Sequence, residues 1–397
     1  MTDMTDTALL AVALAGIAGL LAGRAWAYGL RRRDPADRPS FRTSPHYTHG
    51  LYYLSAGQLE LAISELTKVV REDADAVEVL QVLGNLLREA GQVERAVQVH
   101  QGLLSREDLT RVERTHALAC LGMDFRKAGF LDRATQAFHE VLEADPKNIH
   151  AIMGLEKLHE EQRQWREAFE AQTRLSRLRK TDDGLVLGHL QAELGKEALL
   201  AGDRAGAEKA FRRALSLDRR VVPAHLGLAD LCASTDPRRA AQILEDGIQA
   251  APDRAHLFFD RLAQIYTACG EPSRFVGLCE RIIRQDPRDW RARVALACHL
   301  RAEGKHADAL GLLLRALETN PQALLTHIEA WRTLLGMGAR HPDLERYVAT
   351  AEDAVFYADP HVCTVCRYRS DDMLWRCPHC HEWNTFVEER LGPAGRP

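Results

Sequence analysis

Apolar and polar positions follow a helical period along most of this chain, and the pattern itself recurs. Each segment can be aligned on one anchor residue, and successive anchors are 34, 38, 34, 39, 33, 35 and 34 residues apart. A period of this length predicts a stack of helical pairs in which each unit covers its neighbour. The anchors are Gly50, Gly84, Gly122, Glu156, Gly195, Leu228, Ala263 and Ala297.

Two further positions in most units support this interpretation. A small residue stands twelve places after the anchor, at Ala62, Ala96, Ala134, Ala168, Ala207, Ala240 and Ala309, and a bulky one sixteen places after it, at Leu66, Phe138, Phe211, Leu244 and Leu313. Small residues let two helices approach, and the bulky residue fills the groove. The pattern resembles the tetratricopeptide repeat. We therefore predict an all-α solenoid of about eight to nine units over residues 46–357.

The longer spacings of 38 and 39 residues predict a lengthened turn or helix near residues 105–112 and 177–186. In such a solenoid, function is expected on the concave face, which the first helix of each unit lines. In the second and third units this face is expected to be polar and mostly cationic, which suits an acidic or peptide-like partner, although a merely solvated face remains the alternative. The candidate partner-binding residues are Gln81, Asn85, Arg88, Met123, Arg126 and Lys127.

The N-terminal segment has a different pattern, because residues 7–23 contain no charge. A run of about 17–25 apolar residues spans a bilayer, and a snorkelling arginine would let the helix continue past residue 24. We predict a transmembrane anchor over residues 1–33 and a linker over 34–45. A cleaved signal peptide ending near Ala25-Trp26-Ala27 and a buried soluble helix are the alternatives. The anchor residues are Ala15, Gly16, Gly19, Gly23, Arg24, Trp26, Arg31, Arg32 and Arg33.

The flanking charges orient this anchor, since Asp3 and Asp6 precede it and the arginines follow it. The positive-inside rule then predicts a single-pass protein with a periplasmic N-terminus and a cytoplasmic chain after residue 33. The whole chain has a net charge of −4, so no global attraction to nucleic acid is expected. Self-association through the anchor or the repeats stays open.

The nine cysteines divide into five single residues and two close pairs. The single cysteines lie in apolar helical stretches, which is typical of a reducing compartment. The pairs, Cys363-x2-Cys366 and Cys377-x2-Cys380, have the spacing of two metal-binding knuckles that close a tetrahedral site. Four thiolates are compatible with one zinc or one iron ion. We predict a metal-binding domain over residues 358–397, folded largely by its metal.

No sequence motif for catalysis accompanies these features. The chain contains no P-loop, no GxSxG and no dinucleotide fingerprint, and its His-Glu pairs lack the second histidine of a zinc protease. A closed four-ligand shell also leaves no coordination position for a substrate. The sequence therefore predicts a binding protein rather than an enzyme, with Trp375 and Trp383 packing the metal module against the repeats.

These features together resemble the lipopolysaccharide assembly protein B family of Gram-negative bacteria. The resemblance covers the full chain and is most specific in residues 83–104, in residues 121–138 and in the rubredoxin-like cysteine pairs with Trp375, Pro378 and Trp383. It implies an inner-membrane adaptor that helps the AAA+ protease FtsH degrade the deacetylase of lipid A synthesis. It also implies contact with other inner-membrane lipopolysaccharide assembly proteins.

One residue departs from the family pattern, because Arg367 stands where glycine usually follows the second cysteine. Glycine tolerates unusual backbone angles there, so the substitution predicts a differently tuned or relaxed first knuckle. It also weakens the case for iron as the bound metal ion. Two other functions stay open at this point. One is rubredoxin-type electron transfer, and the other is a membrane assembly scaffold for a different client.

Overall fold

The computed structural model describes residues 41–321, 323–338 and 361–388. These residues form 17 α-helices followed by three short strands, which confirms the predicted all-α repeat fold with a small cysteine module. The helices are α1 Pro45–Ser55, α2 Leu59–Glu72, α3 Val77–Glu89, α4 Val93–Leu104, α5 Arg111–Lys127, α6 Leu131–Ala144, α7 Ile149–Glu161, α8 Trp165–Arg179, α9 Gly184–Leu200, α10 Arg204–Leu217, α11 Val222–Cys232, α12 Pro237–Ala250, α13 His256–Ala268, α14 Pro272–Gln285, α15 Trp290–Ala302, α16 His306–Thr319 and α17 Leu324–Gly336.

The anchor predicted at residues 1–33 and most of the linker lie outside the described residues, as does the end of the last predicted repeat. Among the helices that are described, none has the length and apolar character that a bilayer crossing requires. The first described helix begins at Pro45, next to the predicted start of the solenoid at residue 46. The predicted domain boundaries therefore remain predictions.

The repeat anchors allow close contact between the two helices of a unit. A side chain on Gly122 would come within 2.7 Å of the Phe138 ring, and one on Gly195 would come within 2.5 Å of the Phe211 ring. Both phenylalanines are almost fully buried. Any larger anchor residue would displace these rings, so the anchor and the residue sixteen places later form one packing unit.

The two longer spacings have a clear structural cause. Helices α5 and α9 each contain 17 residues, whereas the other described helices contain 11 to 15. The additional residues lengthen the first helix of the third and fifth units. Thr110 starts α5 with a reciprocal capping box to Glu113, which fixes where the longer helix begins.

The chain divides into two compact units at Ala151 and Ile152, within α7. The core of the first unit includes Ala62, Leu66 and Leu87 from α2 and α3. The largest core cluster of the second unit is built around aromatic residues, among them Phe258, Tyr266 and Phe275.

A buried charged cluster in the first unit interrupts this apolar packing. His100 takes the bulky position of the second repeat, and its Nδ1 lies 2.5 Å from Asp124 Oδ2. Arg88 donates to the other oxygen of Asp124 over 2.8 Å. Burial alone would lower the pKa of His100, but hydrogen bonds with Asp124 and Cys120 raise it to about 9. The imidazole is therefore charged at neutral pH and is matched to a buried carboxylate.

The C-terminal module forms a three-stranded antiparallel sheet in the order β2-β1-β3 and belongs to the second compact unit. The strands are β1 His361–Cys363, β2 Arg369–Ser370 and β3 Phe386–Glu388. Its core consists of Cys363, Cys377 and Phe386, with the other two paired cysteines packed around them. A core this small cannot fold the module alone, so the cysteines must contribute through their chemistry.

Candidate metal centre and its docking surface

The two cysteine pairs meet at one point of the module. Cys363 Sγ lies 3.6 Å from Cys380 Sγ, and Cys366 Sγ lies 3.5 Å from Cys377 Sγ. All four sulfur atoms lie within 4.8 Å of one another. Tetrahedral zinc with sulfur at about 2.3 Å separates its ligands by about 3.8 Å, so the cluster fits one tetrahedral ion. The neighbouring histidines do not join this four-sulfur set.

Backbone amides and a hydroxyl group surround the sulfur atoms. The amides of His379 and Cys380 donate to Cys377 Sγ over 3.4 and 3.5 Å. Burial raises the pKa of the Cys363 thiol, but hydrogen bonds with the Thr385 hydroxyl and with backbone amides outweigh it and bring the pKa to about 6. Donors of this kind stabilise thiolates, the form that binds a metal ion.

The first knuckle keeps the usual turn despite Arg367. This residue adopts a left-handed backbone with φ of 63°, and its amide donates to Cys363 O over 2.9 Å. His381 does the same in the second knuckle, with φ of 60° and a bond of 2.9 Å to Cys377 O. The predicted relaxation of the first knuckle is thus absent from the backbone, and the arginine carries the strain of a left-handed residue instead.

We expect Arg367→Gly to stabilise the metal module by about 0.5–1 kcal/mol, because glycine adopts this conformation without a Cβ clash. The measurement is the rate at which a chelator removes metal from the purified chain, together with the unfolding temperature of the module. Arg369→Gly, in the extended strand β2, is the control and should destabilise the module. Faster metal loss from Arg367→Gly would show that the arginine side chain has a compensating role.

The second knuckle also presents two indole rings to the repeats. An antiparallel bridge joins Arg376 to Trp383, and the Asn384 amide donates to Trp375 O over 2.6 Å. Trp383 packs with Ala168 and Leu190 of α8 and α9, and Trp375 packs against the aromatic core of the second unit. The expected packing of both tryptophans against the repeats is confirmed.

A buried carboxylate on α7 forms the polar centre of this interface. Glu160 is 1% exposed and accepts from Trp383 Nε1 over 2.5 Å. Arg376 donates to it over 3.0 Å through Nε, and Nη2 lies 2.9 Å away. Charge-assisted bonds of this kind are strong where water is excluded. Glu160 therefore binds the residues on both sides of the second knuckle, Arg376 before it and Trp383 after it.

A second carboxyl group lies one turn earlier on α7. Glu156 is also 1% exposed, and burial, reinforced by the neighbouring charge of Glu160, raises its pKa to about 8. Glu156 therefore favours its protonated form at neutral pH. Lys157 lies 3.4 Å from Glu160 and donates to His381 O over 3.5 Å, which adds a cation at the rim.

Two residues of the repeats complete the docking surface. His189 of α9 lies between the tryptophans, with ring centres 5.7 Å from Trp375 and 5.5 Å from Trp383. Burial lowers the pKa of His189 to about 3, so this imidazole is neutral and stacks as an aromatic ring. Arg254 lies 5.3 Å over the Trp375 ring and donates to Phe386 O over 3.3 Å. These contacts fix the module on the second unit.

Farther along the second unit, α13, α15 and α17 border an open groove of about 780 Å³. Its lining is mostly apolar, with Phe259, Val294 and Leu325 among the contributors. Trp290 Nε1 is buried there and has no hydrogen-bond acceptor among the described residues. An open apolar groove of this size is suited to an extended peptide segment.

The partner-binding residues predicted in the second and third units stay a prediction, but several already have internal contacts. Arg88 is bonded to Asp124, Cys120 O and Asn85, and Gln81 donates to Glu113 O over 3.4 Å. These side chains connect successive repeats, so they are less available to a partner than their sequence pattern suggests.

Glu160, His189 and Arg254 were not predicted, because they lie far from the cysteines in sequence. One signal was present, because Glu156 is a charged residue at an anchor position that is otherwise small or apolar. A buried carboxylate at such a position needs a partner from outside the helical pair.

Comparison with known proteins agrees with both parts of the chain. The family described as rubredoxin metal binding domain matches residues 361–388, and the tetratricopeptide repeat family matches residues 47–108 and 278–323. Lipopolysaccharide assembly protein B of Escherichia coli K12 is 23% identical over 358 residues, which cover 89% of this chain and 91% of that protein. The Haemophilus influenzae protein of the same name is 23% identical over 382 residues, which cover 92% of this chain and 95% of that protein. A repeat protein structure from Cytophaga hutchinsonii covers 71% of this chain and 98% of its own at 13% identity, with a TM-score of 0.40.

Proposed function

We propose that this chain, a member of the lipopolysaccharide assembly protein B family, is a membrane-tethered adaptor that promotes FtsH-mediated proteolysis of the lipid A pathway deacetylase. The observation that carries the proposal is the docking of a four-thiolate module on tetratricopeptide helices through buried polar and aromatic contacts. A repeat scaffold and a closed metal site provide binding surfaces, and binding surfaces are what an adaptor needs.

The anchor predicted at residues 1–33 supports the membrane part of this proposal. A tether that confines the chain and the protease to one membrane raises their effective concentration for each other and for a captured client. The small residues of the anchor would allow close lateral contact with another transmembrane helix. We place the bulk of the chain in the cytoplasm on the flanking charges.

The groove bordered by α13, α15 and α17 is our proposed docking surface for an extended apolar segment of the client. The Trp290 indole lies in the lining and would contact that segment through its ring. The apolar lining would hold one or two client side chains. Ala295 lies in the lining, where a long charged residue would block the groove.

The test measures the half-life of the deacetylase in cells that carry the native chain, a chain without residues 1–33, Ala295→Arg, or no chain at all. We expect the client to persist several times longer in both variants, with Ala128→Arg, an exposed site in the first unit, as the matched control. Circular dichroism of each purified chain verifies that the repeats stay folded. A client half-life that is unchanged even when the whole chain is absent would overturn the proposed function.

A further inference from the structure

A cluster of two imidazoles and a carboxylate lies in the first repeat, apart from the cysteine module. His46 and His49 are three residues apart on α1, which places them on one face of the helix. Glu65 projects from α2, the partner helix of the same repeat. One donor atom from each of the three residues lies within 4.8 Å of the others. We propose that His46, His49 and Glu65 bind a divalent transition-metal ion such as Zn²⁺.

The donor set suits such an ion. Imidazole nitrogen and carboxylate oxygen are the usual ligands of zinc outside thiolate sites, and two histidines with one carboxylate are sufficient for three coordination positions. The fourth tetrahedral position would be filled by water or by a donor from another molecule. This set is harder than the four thiolates of the C-terminal module, so the two sites differ in metal preference.

The contacts of His46 resemble those of a metal ligand with its supporting carboxylate. Its Nδ1 faces Glu65 Oε2 at 2.6 Å, and its Nε2 faces Glu72 Oε1 at 3.7 Å. Ser44 Oγ holds Glu72 in place with a bond of 2.8 Å. An ion bound by Nδ1 and Glu65 would replace the shared proton, would move the two ligand atoms apart to about 3.3 Å, and would leave Nε2–H directed at Glu72. At 3.7 Å this second contact has ion-pair rather than hydrogen-bond distance, and it places a carboxylate where the second nitrogen of a histidine ligand commonly finds one.

The local charge also favours a dication. Glu65 and Glu72 contribute two negative charges, and Lys68 contributes one positive charge through its 2.5 Å contact with Glu65 Oε1. The side chain of Lys68 is 45% exposed, whereas that of Glu65 is 14% exposed. Lys68 can therefore swing into water when an ion arrives, while Glu65 stays fixed. Lys68 acts as a competitor for the site.

Binding would join α1 to α2 at the first described repeat. Terminal repeats have one neighbour and are the least stable part of a solenoid, so a bridging ion would stabilise this repeat most. The effect is separate from the cysteine module and from client binding, and it can be measured without either.

The experiment titrates zinc into the full chain, purified in detergent without a histidine tag and with its cysteine module already loaded. We expect one further equivalent to bind, and His49→Ala, at an exposed position, to weaken that step by about 100-fold or more. Lys68→Ala should strengthen it, because the competing cation is gone. His139→Ala, an exposed histidine on α6, is the matched control and should leave it unchanged.

Hydrogen exchange of residues 45–72 supplies an independent reading. Zinc should slow exchange there in the native chain and in His139→Ala but leave His49→Ala unaffected. The proposal is overturned if the native chain binds no second equivalent, or if His49→Ala binds it as tightly as the native chain does. Binding that Lys68→Ala weakens would also count against this site.

Discussion

Replacing Cys377 and Cys380 together with serine will remove the metal ion and unfold residues 361–388, while the helical repeats stay folded. The module has a core of three buried residues, two of which are cysteines of the cluster. Its folding free energy must therefore come mainly from metal ligation, which contributes about 10 kcal/mol or more in small zinc modules. Two lost ligands leave a site that cannot close.

Metal analysis and hydrogen exchange of the purified chain measure this result. We expect the native chain to hold one more equivalent of metal than the double variant, with loss of exchange protection confined to the module and its contacts. The same analysis identifies the ion as zinc or iron. Cys269→Ser, at a single half-buried cysteine after α13, is the control and should retain the metal. Protected amides in residues 361–388 of the metal-free variant would contradict the prediction.

The loss of the module will also change the surface of the second unit. His189 and Glu160 are buried beneath it and would face water once it unfolds. If the module contributes to capture of the proposed client, the deacetylase, this client will persist longer in cells with the double cysteine variant. If only the groove bordered by α13, α15 and α17 is used, its half-life will stay as in the native strain.

The repeat fold could be predicted from the sequence because each helical pair packs through the same contacts between residues that are close in sequence. Gly122 and Phe138, or Gly195 and Phe211, are sixteen residues apart and touch within one helical pair, so a spacing rule is sufficient to find them. The four cysteines were equally visible, since their ligand geometry requires two short pairs.

The docking surface could not be predicted in the same way. Glu160 and Trp383 are 223 residues apart in sequence, and no spacing rule links them. Two of the exceptions to the repeat pattern, Glu156 at an anchor position and His100 at a bulky position, were the informative residues. Each is buried and belongs to a polar cluster that tertiary structure alone assembles. Departures from the repeat pattern therefore mark residues whose role lies outside the packing of the helical pair.

Replacing Glu160 with alanine will detach the module from the repeats without removing its metal. The substitution leaves Arg376 without its buried partner and Trp383 Nε1 without an acceptor. Removing one partner of a buried ion pair costs about 3–5 kcal/mol of stability. This figure already includes the loss of the charge-assisted hydrogen bond. The four cysteines are untouched, so the knuckles themselves should hold the ion as before.

Tryptophan fluorescence and hydrogen exchange distinguish this outcome from unfolding. Exchange should quicken at α7, α9 and the 375–384 segment, while the metal content stays equal to that of the native chain. Glu161→Gln is the matched control, because Glu161 is a neighbouring carboxylate whose contact with His381 is longer, at 3.6 Å, and partly exposed. Pairs of that kind contribute about 0–1 kcal/mol, so the control should stay docked. A Glu160→Ala chain with native exchange rates would mean that the stacking of His189 between the two tryptophans is sufficient to hold the module.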